Sequence, residues 1–172
     1  MSTDINGVIS HNLTFPPPAN LPFAMTNGVQ NVSPYVRNEW RWKEDFGNEA
    51  DFRVICTQHG PSIWIGRRAA IISTGIGWDQ VAEDSELREQ IMSALFAIGQ
   101  FFDSSQLVVL PDDVEPWCSI TDSVIDSGST LDHLVETLAA IRPPSLDFIS
   151  ALKGEPDYAV DGYLIIKLPI TV

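Results

Sequence analysis

Cysteine, basic residues and long apolar runs are all scarce in this chain of 172 residues. The two cysteines, Cys56 and Cys118, form no CxxC arrangement, so neither a disulfide scaffold nor a zinc ribbon is available. No apolar run approaches the roughly 18 residues that a membrane-spanning helix needs, and the first residues lack the basic and apolar regions of a signal peptide. We therefore expect a cytoplasmic protein that folds without disulfides or metal.

The shortage of basic residues leaves a formal net charge of -13, and the imbalance lies in one part of the sequence. Residues 1–70 hold six bases and six acids, whereas residues 71–172 hold 17 acids and four bases. A negative field of this kind repels nucleic-acid phosphates and anionic lipids, so we expect no direct nucleic-acid or membrane binding. It favours a partner protein with a basic surface. The alternative is that the acidity only keeps the protein in solution.

The first 33 residues differ in composition from the rest of the chain. They contain one charged side chain, Asp4, and a proline triplet, Pro16-Pro17-Pro18, followed by Pro22. Proline triplets favour an extended polyproline II path and exclude helix. We therefore expect residues 1–33 to form a Pro-rich extended arm, lying on its own domain or on a partner, and residues 34–172 to form a single α+β domain.

Hydrophobic periodicity predicts strands first and mixed elements later. Alternation from Tyr35 to Lys43 indicates a half-buried strand, and three further segments complete a predicted four-stranded meander: Asp51 to Thr57, Ser62 to Ile65 and Ala69 to Ser73. Two later strands are predicted at Leu107 to Leu110, covered on both faces and beside the meander, and at Tyr163 to Leu168.

Apolar residues at steps of three and four predict the helices. The first runs from Ser85 to about Phe102, the second from Ser129 to Ile141, and a short third one from about Ser145 to Leu152. The sum predicts an α+β fold, with a mainly antiparallel sheet and two to three helices packed on one face.

The segment 111–128 is the best candidate for a contact surface, because it combines five acids with one tryptophan and a possible short helical turn. Acidic residues steer a basic partner, and an exposed tryptophan is a common anchor in protein interfaces. The predicted partner-binding residues are Asp112, Asp113, Glu115, Trp117, Asp122 and Asp126. The alternative is a solvated loop with Trp117 folded inward.

Sequence signatures of catalysis are missing from the chain. It contains no G-x-S-x-G elbow, no Walker loop and no dinucleotide fingerprint, and the three histidines, His11, His59 and His133, fit no metal-binding motif. We expect no cofactor and no metal site. Asp112 and Asp113 do follow a buried strand, where enzymes often hold metals or proton-transfer groups.

These observations favour a non-enzymatic acidic protein-binding module. In this hypothesis the protein is an inhibitor or immunity-type protein that masks the basic surface of a partner. Opposite charges would accelerate the encounter, and buried aromatic contacts would slow the release. Two alternatives stay open at this point: a small hydrolase or metal-dependent enzyme that uses the Asp112 and Asp113 region, and a structural or assembly subunit.

Overall fold

Seven strands form one antiparallel sheet in the computed structural model, which describes residues 4–12, 23–25, 38–42, 62–112, 114–146 and 162–169. The strands are β1 (Asp4–Ser10), β2 (Phe23–Met25), β3 (Asn38–Trp42), β4 (Ser62–Ile65), β5 (Ala69–Gly77), β6 (Gln106–Pro111) and β7 (Leu164–Lys167). Their order across the sheet is β2-β3-β4-β5-β1-β6-β7, and each neighbouring pair is antiparallel.

The described residues form four helices, α1 (Trp78–Glu83), α2 (Ser85–Phe101), α3 (Trp117–Asp126) and α4 (Leu131–Ile141). Side chains cap two of them: Asp84 accepts a hydrogen bond from the backbone N–H of Leu87, and Thr130 accepts one from that of His133. Both caps lie within one residue of the predicted helix starts. None of the described helices has the length and apolarity needed to cross a membrane.

Helices cover both faces of the sheet. On one face, α1 and α2 pack against the side chains of Ile5 and Ile9 in β1. On the other, α3 and α4 pack against Val8 of the same strand. Strands β1 and β6 lie between these two layers and are buried along almost their whole length.

The α+β class and the antiparallel sheet are confirmed, but the expectation of helices on one face is wrong. The reason lies in β6, where Leu107 and Val109 face α2 while Val108 and Leu110 face α3 and α4. A strand that is apolar on both faces needs a helical layer on each side. The neighbours of β6 also differ from the prediction, because it pairs with β1 and β7 instead of the meander.

Strands β2, β3, β4 and β5 follow one another in the sheet as a four-stranded antiparallel meander. Three of them match predicted strands. The fourth is β2, whereas the predicted strand from Asp51 to Thr57 lies outside the described residues, as do residues 147–152 of the predicted third helix. Both edges of β3 are occupied by β2 and β4 among the described residues.

The expected N-terminal arm needs correction where the structure describes it. Residues 4–10 form β1, which pairs with β5 on one side and β6 on the other, and residues 23–25 form β2. The lack of charge in residues 5–9 reflects burial in the sheet, because all five of these residues of β1 are buried. The prolines of the segment lie outside the described residues.

Candidate functional site

The predicted contact segment places three carboxylates along one side of α3. Asp122 and Asp126 are four residues apart on α3 and therefore lie on the same side of the helix. Glu115 precedes the helix, but its carboxylate accepts hydrogen bonds from Cys118 and Ser119 in the first turn, which lie four and three residues before Asp122 and so on that same side. Glu115 and Asp126 are exposed, and Asp122 is half-buried. We call these three residues the α3 acidic stripe.

Hydrogen bonds hold the first carboxylate of the α3 acidic stripe in its ionised form. The Ser119 hydroxyl donates to Oε1 of Glu115, and the Cys118 thiol donates to the same oxygen at 3.2 Å. These bonds, that of Ser119 first, lower the pKa of Glu115 below its ordinary value. The exposed carboxylate is therefore oriented and charged at neutral pH.

Trp117 is not part of this surface. Its side chain is only 1% exposed and its ring lies 5.3 Å from that of Tyr163, centroid to centroid, in the core between α3 and the sheet. The prediction that Trp117 anchors a partner is therefore wrong, and the alternative of an inward ring is confirmed. The physical reason is that the short helix α3 needs a large apolar residue to cover its face of the sheet.

The remaining predicted site residues lie where β6 ends. Asp112 is half-buried, and its backbone N–H donates to the carbonyl of Asp4 at 2.8 Å, which extends the pairing of β1 with β6. Asp113 lies outside the described residues. Of the predicted residues, the structure thus brings Asp122 and Asp126 together on α3 and holds Glu115 beside the first turn of that helix, with Asp112 preceding them.

Acidic residues occupy the outer surfaces of both helical layers. The α3–α4 layer also carries Asp132 and Glu136, both exposed. The opposite layer exposes six further carboxylates: Asp79, Glu83, Asp84, Glu86, Glu89 and Asp103. The negative charge of the second part of the chain is therefore divided between two faces, because its helices flank the sheet on both sides.

The geometry that the enzyme alternative requires is missing among the described residues. Asp112 adjoins the Asp4 end of β1, whereas His11 follows the Ser10 end, and a strand of seven residues separates the two by roughly 20 Å. His133 is exposed in the first turn of α4. No group of three or more potential metal ligands occurs in the described part of the chain.

A cavity of about 630 Å³ lies at the Ser10 end of the sheet, and it was not among the sites predicted above. Four elements line it: the end of β1, the β4–β5 turn, the start of β6 and the start of α4. Their lining residues are Ser10, His11, Asn12, Arg67, Arg68, Ser105, Gln106, Thr130, Leu131 and Asp132. We call this space the sheet-end cavity.

A buried histidine connects two of these elements. The backbone N–H of His11 donates to the carbonyl of Arg68 at 3.1 Å, and its ring Nε2 lies 2.6 Å from the carbonyl of Gly66. Because a carbonyl only accepts, Nε2 carries the proton. Burial lowers the pKa of His11 and thereby favours the neutral ring. The hydrogen bond to Gly66 raises this pKa, but its effect is smaller than that of burial.

Opposite charges stand on the two sides of the sheet-end cavity. Arg67 and Arg68 form the two-residue β4–β5 turn on one side, and both are exposed. On the other side, Oδ1 of Asp132 accepts a hydrogen bond from Nε2 of Gln106 at 3.0 Å. The end of β1 lies between them. Two strand spacings, on the order of 10 Å, separate β5 from β6 at this end of the sheet.

The sequence did contain one signal for this cavity, since Arg67 and Arg68 are adjacent cations between two predicted strands. What they face depends on the pairing of β5 with β1, which no local pattern reports.

Comparisons of this chain with models of protein families, with curated proteins and with solved structures find no match.

Proposed function

We propose that this chain is an acidic protein-binding module that uses the α3 acidic stripe to bind a basic surface on another protein. An inhibitor or immunity-type role, in which the module masks a positively charged partner, is the form of this function that we favour. The observation that carries the proposal is that Asp122 and Asp126 lie on one side of α3 and that hydrogen bonds from Cys118 and Ser119 hold the Glu115 carboxylate against the first turn on that side.

Electrostatics supports the stripe as a binding surface. Glu115 is held by two side-chain donors and keeps a lowered pKa, so its charge is oriented before any partner arrives. The next helix adds the exposed carboxylates of Asp132 and Glu136. Aligned charges of one sign raise the association rate with a basic partner and reject acidic ones.

A pair of matched charge variants tests the proposal. The stripe variant is Glu115→Lys, Asp122→Lys and Asp126→Lys; its control is Glu83→Lys, Glu86→Lys and Glu89→Lys on the opposite layer. Both variants change the net charge by the same amount, because each replaces three carboxylates with three ammonium groups. Circular dichroism at increasing temperature checks that both variants fold.

Affinity capture from native lysate at about 0.05 M and about 0.5 M salt provides the measurement, since the Debye length shrinks over this range from above 10 Å to a few Å. We expect the wild type and the control variant to retain a basic protein at low salt and to release it at high salt. The stripe variant should not retain this protein at either salt concentration. Equal retention by the stripe variant contradicts the proposed surface. A structural or assembly subunit would instead self-associate with little dependence on salt.

A further inference from the structure

The sheet-end cavity lies about one strand length from the start of α3 and is separate from the α3 acidic stripe. We propose that it binds a phosphate monoester with a hydroxylated body, such as a sugar phosphate. Arg67 and Arg68 hold the phosphate, and the polar groups on the side of β6 and α4 hold the hydroxyls. The cavity volume of about 630 Å³ is within the range of small-molecule sites, roughly 300 to 1,000 Å³.

The arginine side of the cavity fits a phosphate. Both arginines line this side, and guanidinium matches phosphate oxygens through paired hydrogen bonds. The side chain of Arg68 forms no hydrogen bond or ion pair with another residue in the described part of the chain, so its donors can turn to a ligand. The backbone carbonyl of Arg68 accepts from His11, which fixes this turn against β1.

The remaining lining favours hydroxyl groups over an apolar ligand. Most small-molecule pockets are largely apolar, but this one has a single aliphatic lining residue, Leu131. Thr130 accepts a hydrogen bond from the backbone of His133, so its own hydroxyl proton is left to donate. Ser105 adds a second hydroxyl, and Gln106 adds an amide.

Asp132 determines which end of the ligand lies where. Its carboxylate repels a phosphate and accepts hydrogen bonds from ligand hydroxyls. Because the arginines belong to the β4–β5 turn and Asp132 belongs to α4, the phosphate and the hydroxyls of the ligand lie toward different walls of the cavity. A second phosphate at the Asp132 side would meet a like charge, which selects a ligand with a single phosphate.

The net charge of -13 does not oppose such a site at physiological salt. Charges on the helical surfaces are screened beyond a Debye length of about 8 Å, whereas the two guanidinium groups lie on the cavity wall itself. Local contacts therefore decide the affinity, and moderate salt should not abolish it.

Isothermal titration calorimetry with four matched probes tests the ligand class. The probes are glucose 6-phosphate, glucose, glucuronate and inorganic phosphate, used with the full chain. Glucuronate carries a carboxylate where glucose 6-phosphate carries its phosphate ester. We expect glucose 6-phosphate to bind at least about tenfold more tightly than each of the other three. Equal binding of glucuronate overturns the phosphate assignment, equal binding of inorganic phosphate overturns the hydroxylated body, and binding of none of the four overturns the site.

Two arginine variants locate the site. Arg68→Gln removes the guanidinium and keeps the backbone carbonyl that His11 uses, so the fold should be retained, as checked by circular dichroism. The control is Arg142→Gln, which removes the same charge at the far end of α4. The 11 residues of this helix place Arg142 roughly 16 Å from the end of α4 that lines the cavity. We expect Arg68→Gln to weaken glucose 6-phosphate binding by roughly 10-fold to 100-fold and Arg142→Gln to leave it within about twofold. Equal weakening by both variants would show that only overall charge matters and would overturn the proposal.

Discussion

Replacing Gly99 of α2 with alanine should destabilise the protein, although alanine is the better helix former. A Cβ atom at this position would lie 2.5 Å from Cδ1 of Leu168, the residue that follows β7, whose side chain is only 4% exposed. Helix propensity favours alanine by about 1 kcal/mol, whereas overpacking a core costs about 1–3 kcal/mol. We expect a net loss of up to about 2 kcal/mol, or a fall of several °C in Tm for a chain of this length.

A control in the same helix separates these two terms. Ala97 is exposed, so Ala97→Gly measures the helix propensity alone and should cost about 1 kcal/mol. Urea unfolding gives the free energy of unfolding for each variant. Truncating Leu168 to alanine should relieve the overlap, so the double variant should be more stable than the sum of the single losses indicates. If Gly99→Ala instead raises the free energy of unfolding by about 1 kcal/mol, Leu168 does not pack against Gly99 of α2 as described.

Three further changes have defined outcomes. Trp117→Ala should lower the free energy of unfolding in urea by about 3–5 kcal/mol, because the ring is buried against Tyr163; a change below about 1 kcal/mol would return Trp117 to the surface. Removing a helix cap, by Asp84→Ala or Thr130→Ala, should cost about 1 kcal/mol each in the same assay, and a neutral effect of both would contradict the helix starts. Burial lowers the pKa of His11 in the folded protein, so the unfolded chain binds a proton on this residue more readily. The contribution of the neutral His11 to the free energy of unfolding is therefore complete above about pH 6.5 and is lost as the pH falls through the lowered pKa. Urea unfolding from pH 7.5 to 5 should show this acid-side loss in the wild type and a smaller one in His11→Gln, and equal slopes would refute the assignment.

Local sequence patterns were sufficient for most of the described elements. The apolar steps from Leu87 to Ile98 predict α2, and the cap at Thr130 lies one residue from the predicted start of α4. The run Leu107 to Leu110 was expected to be covered on both faces, and it is. These predictions succeed because periodicity and capping depend on residues only a few positions apart.

The site could be predicted only in part. Spacing along the chain places Asp122 and Asp126 on one side of a helix once α3 is known to form, whereas Glu115 joins them through hydrogen bonds that only the structure shows. The orientation of Trp117 could not be predicted, since the same aromatic residue suits an interface or a core. The sheet-end cavity was not foreseen either, because its residues come from four elements that are distant in the sequence.

The amino-acid sequence alone determined the class of the fold, most of its helices and strands, and the concentration of acid after residue 70. Tertiary structure decided that this acid is divided between two helical layers, that the uncharged N-terminal segment forms the strand between β5 and β6, and that two arginines face an aspartate across a cavity. The physical reason is that charge and periodicity are properties of neighbouring residues, whereas the order of strands in a sheet depends on burying every apolar face at once.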